Sequence, residues 1–249
     1  MEPWNYRDSD DRTADSLPLF IIFCEDEVSE PVYFKYFETA LIKVNLIGNQ
    51  KSKTDHVIKA LAHCYQEDYM ERKGGIDYLK QQETQVWCVF DRDDTKIEGK
   101  QAVENVSFNE SITTAEGRGL KVAWSNDAFE LWILLHFEEL KAELNYADRE
   151  TYYQRLTDIF EQMPDKNEDL VKVLAIKNSN YKQHFKREKN FRNAVRPYLV
   201  SKTLLAIERA KALEKTHDVA PAKNYSDRIP CTMVHYLVEE LLRLGKKQV

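Results

Sequence analysis

Leu19-Phe20-Ile21-Ile22-Phe23-Cys24-Glu25-Asp26-Glu27 carries six apolar residues in a row and then three carboxylates. Six residues suffice for a buried strand and are too few for a helix. An unbroken apolar run, in place of an alternating one, is what a strand covered on both faces of a parallel sheet requires. Val86-Trp87-Cys88-Val89-Phe90 repeats the pattern and ends in Asp91-Arg92-Asp93-Asp94. A further strand is expected over Leu120–Trp124, ending in Ser125-Asn126-Asp127, and a short one near Val44–Ile47.

Helical stretches separate these strands. Ser29, Glu30 and Pro31 suit a helix start, and Phe34, Phe37, Leu41 and Val44 follow at helical spacing. Thr54 is a candidate cap for a helix through Ile58, Leu61 and Tyr65 to a break at Gly74-Gly75. Ala128–Phe137 reads as a mostly buried helix. Strands alternating with helices imply βα units and a mainly parallel sheet. From about Lys141 the pattern is helical, with candidates at Arg149–Gln162, Asn190–Leu213 and Thr232–Leu244. The expected fold is therefore α/β: a mainly parallel sheet flanked by helices, with a helical C-terminal part. The chain divides into a flexible polar arm (1–16), an α/β core (17–140) and a helical region (141–249).

Composition removes several function classes. The 249 residues hold 36 Lys plus Arg against 42 Asp plus Glu, net −6, with 43% apolar side chains. No apolar run approaches the ~20 residues of a membrane span, and Met1–Ser16 is too polar for a secretory or transit signal. Cys24, Cys64, Cys88 and Cys231 form no CxxC pair, so a zinc site or disulfide framework is not expected and a reducing cytoplasm is the simplest home. Seven glycines without GxGxxG or GxxxxGK[ST] argue against dinucleotide and P-loop sites.

Strand ends carry the chemistry. Glu25 follows one buried strand, Asp91 and Asp93 a second, and Asn126 with Glu130 a third. In open parallel sheets ligands bind beyond the carboxyl ends of the strands. Carboxylates gathered there repel unless a cation neutralises them, and oxygen-only ligands suit Mg²⁺ or Mn²⁺. The plainer alternative is that these are loop and cap residues. Glu130 weighs against it, because Phe129, Leu131, Trp132, Ile133, Leu134 and Leu135 leave it little access to water, and a carboxylate there needs a partner. A buried Glu–Lys or Glu–His pair would serve as well as a metal. His136 reads as a hydrogen-bonded core histidine.

Phe23-Cys24-Glu25-Asp26-Glu27-Val28-Ser29-Glu30-Pro31-Val32-Tyr33-Phe34 resembles the opening motif of RloB-like proteins, a Toprim-domain group of prokaryotic defence loci. Val89-Phe90-Asp91-Arg92-Asp93-Asp94 is similar to the Toprim DxD motif, and Ser125–Phe137 to the family's most distinctive stretch. Pro230–Val238 fits more loosely. The resemblance implies a Toprim-like core and a Mg²⁺- or Mn²⁺-dependent nuclease acting in abortive infection. It implies Glu25, Asp91 and Asp93 as metal ligands and catalytic groups, with Glu130 catalytic and Asn126, Asp26 and Asp94 supporting. An ABC-type ATPase encoded nearby is the implied partner, and oligomerisation is left open. Asp26 stands where the motif usually has glycine, adding a charge and a Cβ. That departure supports an alternative, a non-enzymatic module that senses or delivers nucleic acid.

Asp91-Arg92-Asp93-Asp94-Thr95 also matches DxDx[TV], the nucleophile motif of haloacid-dehalogenase-type phosphatases, with Ser125 as their second motif. Asp91 would then form an aspartyl-phosphate. Against this, a full βα stretch precedes the motif.

Residues 172–202 hold nine Lys or Arg and one acid, Glu188, so that this stretch is +8 and the remainder −14. Tyr181, Phe185, Phe191 and Tyr198 are interleaved with the charges. Basic residues with aromatic platforms suit nucleic acid, DNA or RNA, and Lys182, Lys186, Arg187, Lys189 and Arg192 are the candidate contacts. A solvated helix face with buried aromatics is the other reading.

Overall fold

The computed structural model describes residues 17–48, 53–95, 97, 99–140, 148–219 and 224–247. The expected arm at 1–16 lies outside them. The first half of the chain runs β1 (Leu19–Cys24), α1 (Ser29–Lys35), β2 (Lys43–Ile47), α2 (Lys53–Gln66), β3 (Met70–Lys73), β4 (Ile76–Leu79), β5 (Thr84–Asp91), α3 (Lys100–Gly117), β6 (Lys121–Asn126) and α4 (Glu130–Leu135). The second half is α5 (Arg149–Gln162), α6 (Glu168–Leu174), a wide turn at Tyr181–Phe185, α7 (Glu188–Asn190), a second wide turn at Phe191–Val195, α8 (Arg196–Val200), α9 (Thr203–Val219), β7 (Cys231–Thr232) and α10 (Val234–Gly245).

The sheet order is β2-β1-β5-β6-β7. β1 pairs in parallel with β2 and β5, and β5 with β6, while β7 is antiparallel to β6. The fold is thus α/β with a mostly parallel central sheet flanked by helices, as expected. Side chains of a strand alternate between faces. Phe20, Ile22 and Cys24 accordingly enter one core with α1, α4, α5, α9 and α10, and Ile21 and Phe23 enter the other with α2 and α3. Coverage on both faces explains the unbroken apolar run. Among the described residues no helix is long and apolar enough to cross a membrane.

Four local expectations need correction. The first helix stops at Lys35: Leu41 is exposed and Val44 lies in β2, where the Glu38 carboxylate accepts its N–H at 2.9 Å. Gly74-Gly75 is a hairpin turn, joining β3 to β4 with φ of 59° and 85°, the two left-handed residues such a turn demands. The helix expected over Ala128–Phe137 is shorter: β6 continues through Asn126, and α4 runs only from Glu130 to Leu135. The helix expected over Asn190–Leu213 is broken. Pro197 has no N–H to give to the Asn193 carbonyl, and Asn167 Nδ2 donates to that oxygen instead at 3.0 Å.

Candidate functional site

The carboxyl ends of β1 and β5 lie side by side because Cys24 pairs with Val89. The residue that follows β1, Glu25, therefore reaches across, and its Oε2 accepts the N–H of Asp91 at 2.7 Å. Glu30 turns back from α1, with Oε2 accepting the N–H of Glu25 at 2.7 Å and of Asp26 at 3.4 Å. A cleft of about 120 Å³ opens here, lined by Glu25, Asp26, Glu30, Asp91, Asp93 and Glu130 together with Arg149, Lys186, Tyr153 and Phe129. Six carboxylates thus face two cations.

Burial, and after it the crowding of like charge, sets the direction in which these groups shift. Burial, then the charge of Asp93, pushes the Glu25 carboxyl up to about 7. Burial and Glu25 hold Asp91 well above the usual carboxylate range, and burial with Asp26 does the same to Glu30. None of these three carboxylates has a Lys, Arg or His partner within ion-pair distance among the described residues.

The other acids are committed. Asp93, in a left-handed conformation (φ 60°), pairs with Lys53 at 2.9 Å through Oδ2 and with Arg149 through Oδ1. Lys53 also meets Glu104 at 3.2 Å. Burial pulls the Lys53 ammonium and the Arg149 guanidinium down, but Asp93 for the first and Asp91 with Asp93 for the second outweigh it and raise both. Glu130, almost fully buried, has Lys186 Nζ 2.7 Å from its Oε1. This is the Glu–Lys pair that its apolar surroundings allowed. His136 is a core residue, with Tyr33 Oη 3.1 Å from Nε2 and the Trp132 carbonyl 2.9 Å from Nδ1.

The expected supporting residues hold backbone. Asp26 accepts the N–H groups of Val28, Ser29 and Glu30 at 2.8–3.2 Å, which makes it the cap of α1. It is not among the residues with positive φ, so a glycine's freedom is not needed at this turn. Asn126 Nδ2 donates to the carbonyls of Tyr225, Ser226 and Arg228, away from the cleft. The N–H of Asp94 donates to Asp127, whose other oxygen accepts the N–H of Arg149 at 2.9 Å. Asp127 thereby ties the loop after β5 to the start of α5. Ser125 is buried, its hydroxyl 2.9 Å from that of Thr232, and is not open to a phosphate.

The basic stretch needs a larger correction. Tyr181, Phe185 and Phe191 are completely buried and cannot act as base platforms; they stack or pack in the core around Phe160. Lys182 pairs with Glu150 at 2.5 Å and Arg192 pairs with Glu188. Arg187 Nε donates to the Gln183 carbonyl. Lys189 is exposed. Of the five expected nucleic-acid residues, Lys186 alone lines the cleft.

Glu30, Lys53, Arg149 and Tyr153 join the site without having been expected there. Glu30 had a visible signal, a carboxylate in the first turn of a helix that starts beside Glu25. The others arrive from elements whose docking no local pattern encodes.

A family model described as RloB-like protein matches residues 20–241. The chain belongs to the RloB-like family. Its matched span takes in every cleft residue, from Glu25 on β1 to Lys186 in the helical part. No curated protein and no solved structure matches this RloB-like chain.

Proposed function

We propose that this RloB-like chain is a divalent-metal-dependent nuclease of the Toprim type, cleaving phosphodiester bonds of nucleic acid in prokaryotic antiviral defence. The observation that carries the reading is the contact of the Glu25 carboxylate with the Asp91 N–H at 2.7 Å, inside a cleft with surplus negative charge. The defence setting and an ABC-type ATPase partner are part of this reading through the resemblance of the three sequence motifs alone.

The donors fit a hard cation in part. All are oxygens, which suits Mg²⁺ or Mn²⁺, and among the described residues neither Glu25 nor Asp91 has a Lys, Arg or His within ion-pair distance. Among the described residues no three His, Cys, Asp or Glu side chains are placed to hold a metal together. Asp93 is turned to Lys53 and Arg149 instead. Mg²⁺ is commonly held by only one or two carboxylates, with water and substrate phosphate completing its shell, and Glu25 and Asp91 both line the cleft. When bound, such a cation polarises a phosphoryl oxygen and makes water acidic enough to attack. In this reading Glu25 and Asp91 hold the cation, and Arg149 and Lys186 oppose the phosphate's charge. Glu130 keeps Lys186 in the cleft.

The test is incubation with Mn²⁺ and labelled DNA and RNA. Cleavage by the wild type, abolished in Glu25→Gln and Asp91→Asn, is the expected result; cleavage that persists in both variants overturns it. The pairing of Asp93 with two cations favours a second reading, a non-enzymatic nucleic-acid module. Mn²⁺ that raises the melting temperature of the wild type but not of Asp91→Asn speaks for a competent site. No effect on the wild type speaks for the module.

A further inference from the structure

Two cations without a carboxylate partner among the described residues lie outside the cleft, around Tyr36. Three elements meet there. Tyr36 ends α1. Arg196 opens α8, with its guanidinium carbon 5.8 Å from the Tyr36 ring centroid and Nη1 3.3 Å from the Val32 carbonyl. Lys247 follows α10, with Nζ 3.6 Å from the same centroid and donating to the Tyr36 carbonyl.

Lys247 is placed there by packing. Thr39 Oγ1 donates to the Gly245 carbonyl at 3.1 Å, and a Cβ on Gly245 would come 3.0 Å from Ile42 Cδ1. Gly245 lets the end of α10 lie against the α1–β2 connection, and Lys246 then turns the chain in a left-handed conformation (φ 45°).

Neither cation has a carboxylate within ion-pair distance among the described residues; their partners are two carbonyls and one ring. Burial and then mutual repulsion lower both: Arg192 acts on Arg196, and Arg196 on Lys247. A folded protein gathers like charges without counter-ions where a polyanion supplies them. The cluster and the cleft share α1. Glu30 lines the cleft at the start of α1, and Tyr36 lies six residues on, about 9 Å along a helix. Lys186 in the cleft and Arg196 at Tyr36 are connected by α7 and the wide turn before α8.

We propose that Arg196 and Lys247 seat the phosphodiester backbone of a nucleic acid that extends from the carboxylate cleft along α1. The proposal rests on the nuclease reading for the identity of the polyanion. Recognition is by charge alone, because the Tyr36 ring is already occupied by cations and offers no base platform.

The test is binding in EDTA, where cleavage plays no part. Affinity for a labelled single-stranded oligonucleotide, as DNA and as RNA, is measured against salt for the full-length wild type, Arg196→Gln/Lys247→Gln and a charge-matched control, Lys59→Gln/Lys215→Gln, at exposed positions elsewhere. Removing one phosphate-neutralising cation lowers the slope of log K against log salt by about 0.7. The double variant should show about twice that drop and bind at least tenfold more weakly, the control neither. A dinucleotide, too short to leave the cleft, should bind wild type and double variant alike. A slope unchanged in the double variant, with an unchanged melting temperature, overturns the proposal. So does loss of binding to anionic vesicles with oligonucleotide binding intact, which assigns the cluster to a lipid surface. A wild type that binds with the expected slope but never cleaves defeats the nuclease reading alone.

Discussion

Lys186 Nζ lies 2.7 Å from Glu130 Oε1 and 3.8 Å from Asp26 Oδ2, which brings a lysine of the C-terminal helical part into the carboxylate cleft of the sheet. Burial pulls its ammonium down, but Glu130 and then Tyr153 outweigh that and raise it, so it stays charged. The cleft is therefore made jointly by the sheet and the helical part.

Removing one member of that pair strands the other. Lys186→Met should cost roughly 2–4 kcal/mol in urea unfolding, since a buried carboxylate left alone is expensive. Adding Glu130→Gln should recover most of that stability. A cost for the double variant equal to that of Lys186→Met would show that the stem of Lys186, packed near Tyr153, matters and its charge does not.

Asp91→Asn should leave the metal-free protein as stable as the wild type or more so, because it relieves repulsion with Glu25. Its melting temperature should not respond to Mn²⁺. A destabilisation beyond about 2 kcal/mol would instead assign Asp91 to holding structure.

The pH dependence follows from Glu25. Its carboxyl is pushed up to about 7 in the folded protein, above the ~4.3 of an unfolded chain. The folded state thus favours the protonated form. That stabilisation is complete below the unfolded value and is lost as pH rises through about 7. Between about pH 5 and pH 8 the metal-free wild type should lose about 1–3 kcal/mol relative to Glu25→Gln. Parallel stability curves for the two proteins would refute the assignment.

Lys53 competes with any cation for Asp93. With Nζ 2.9 Å from Asp93 and the side chain almost fully buried, it acts as a built-in counter-ion. Lys53→Met removes that charge and should tighten Mn²⁺ binding by calorimetry roughly tenfold, about 1.4 kcal/mol. Weaker binding would mean that Lys53 is needed to shape the loop after β5.

Asn126→Leu separates structure from substrate contact. Its amide serves three carbonyls of the loop at Tyr225–Arg228. The variant should unfold roughly 2–3 kcal/mol more easily and bind nucleic acid with an unchanged salt slope. A changed slope with unchanged stability would return Asn126 to the substrate.

Much of the site was legible because buried parallel strands are written as apolar runs, and a carboxylate directly after such a run must emerge at one sheet edge. Glu25 and Asp91 were located this way, and the surroundings of Glu130 foretold a partner. The Tyr181, Phe185 and Phe191 platforms misled because an aromatic between lysines reads the same whether its ring faces solvent or core. β7, two residues long, has no period to detect.

The sequence by itself determined the four parallel strands β1, β2, β5 and β6 and the carboxylates at the ends of β1 and β5, since hydrophobic periodicity and chain reversal are local properties. Only the tertiary structure decided which cations answer those carboxylates. Lys53, Arg149 and Lys186 come from three separate elements, and charge pairing across a fold depends on docking geometry that no spacing along the chain records. The same holds for Arg196 and Lys247 at Tyr36, which α8, α10 and α1 bring together.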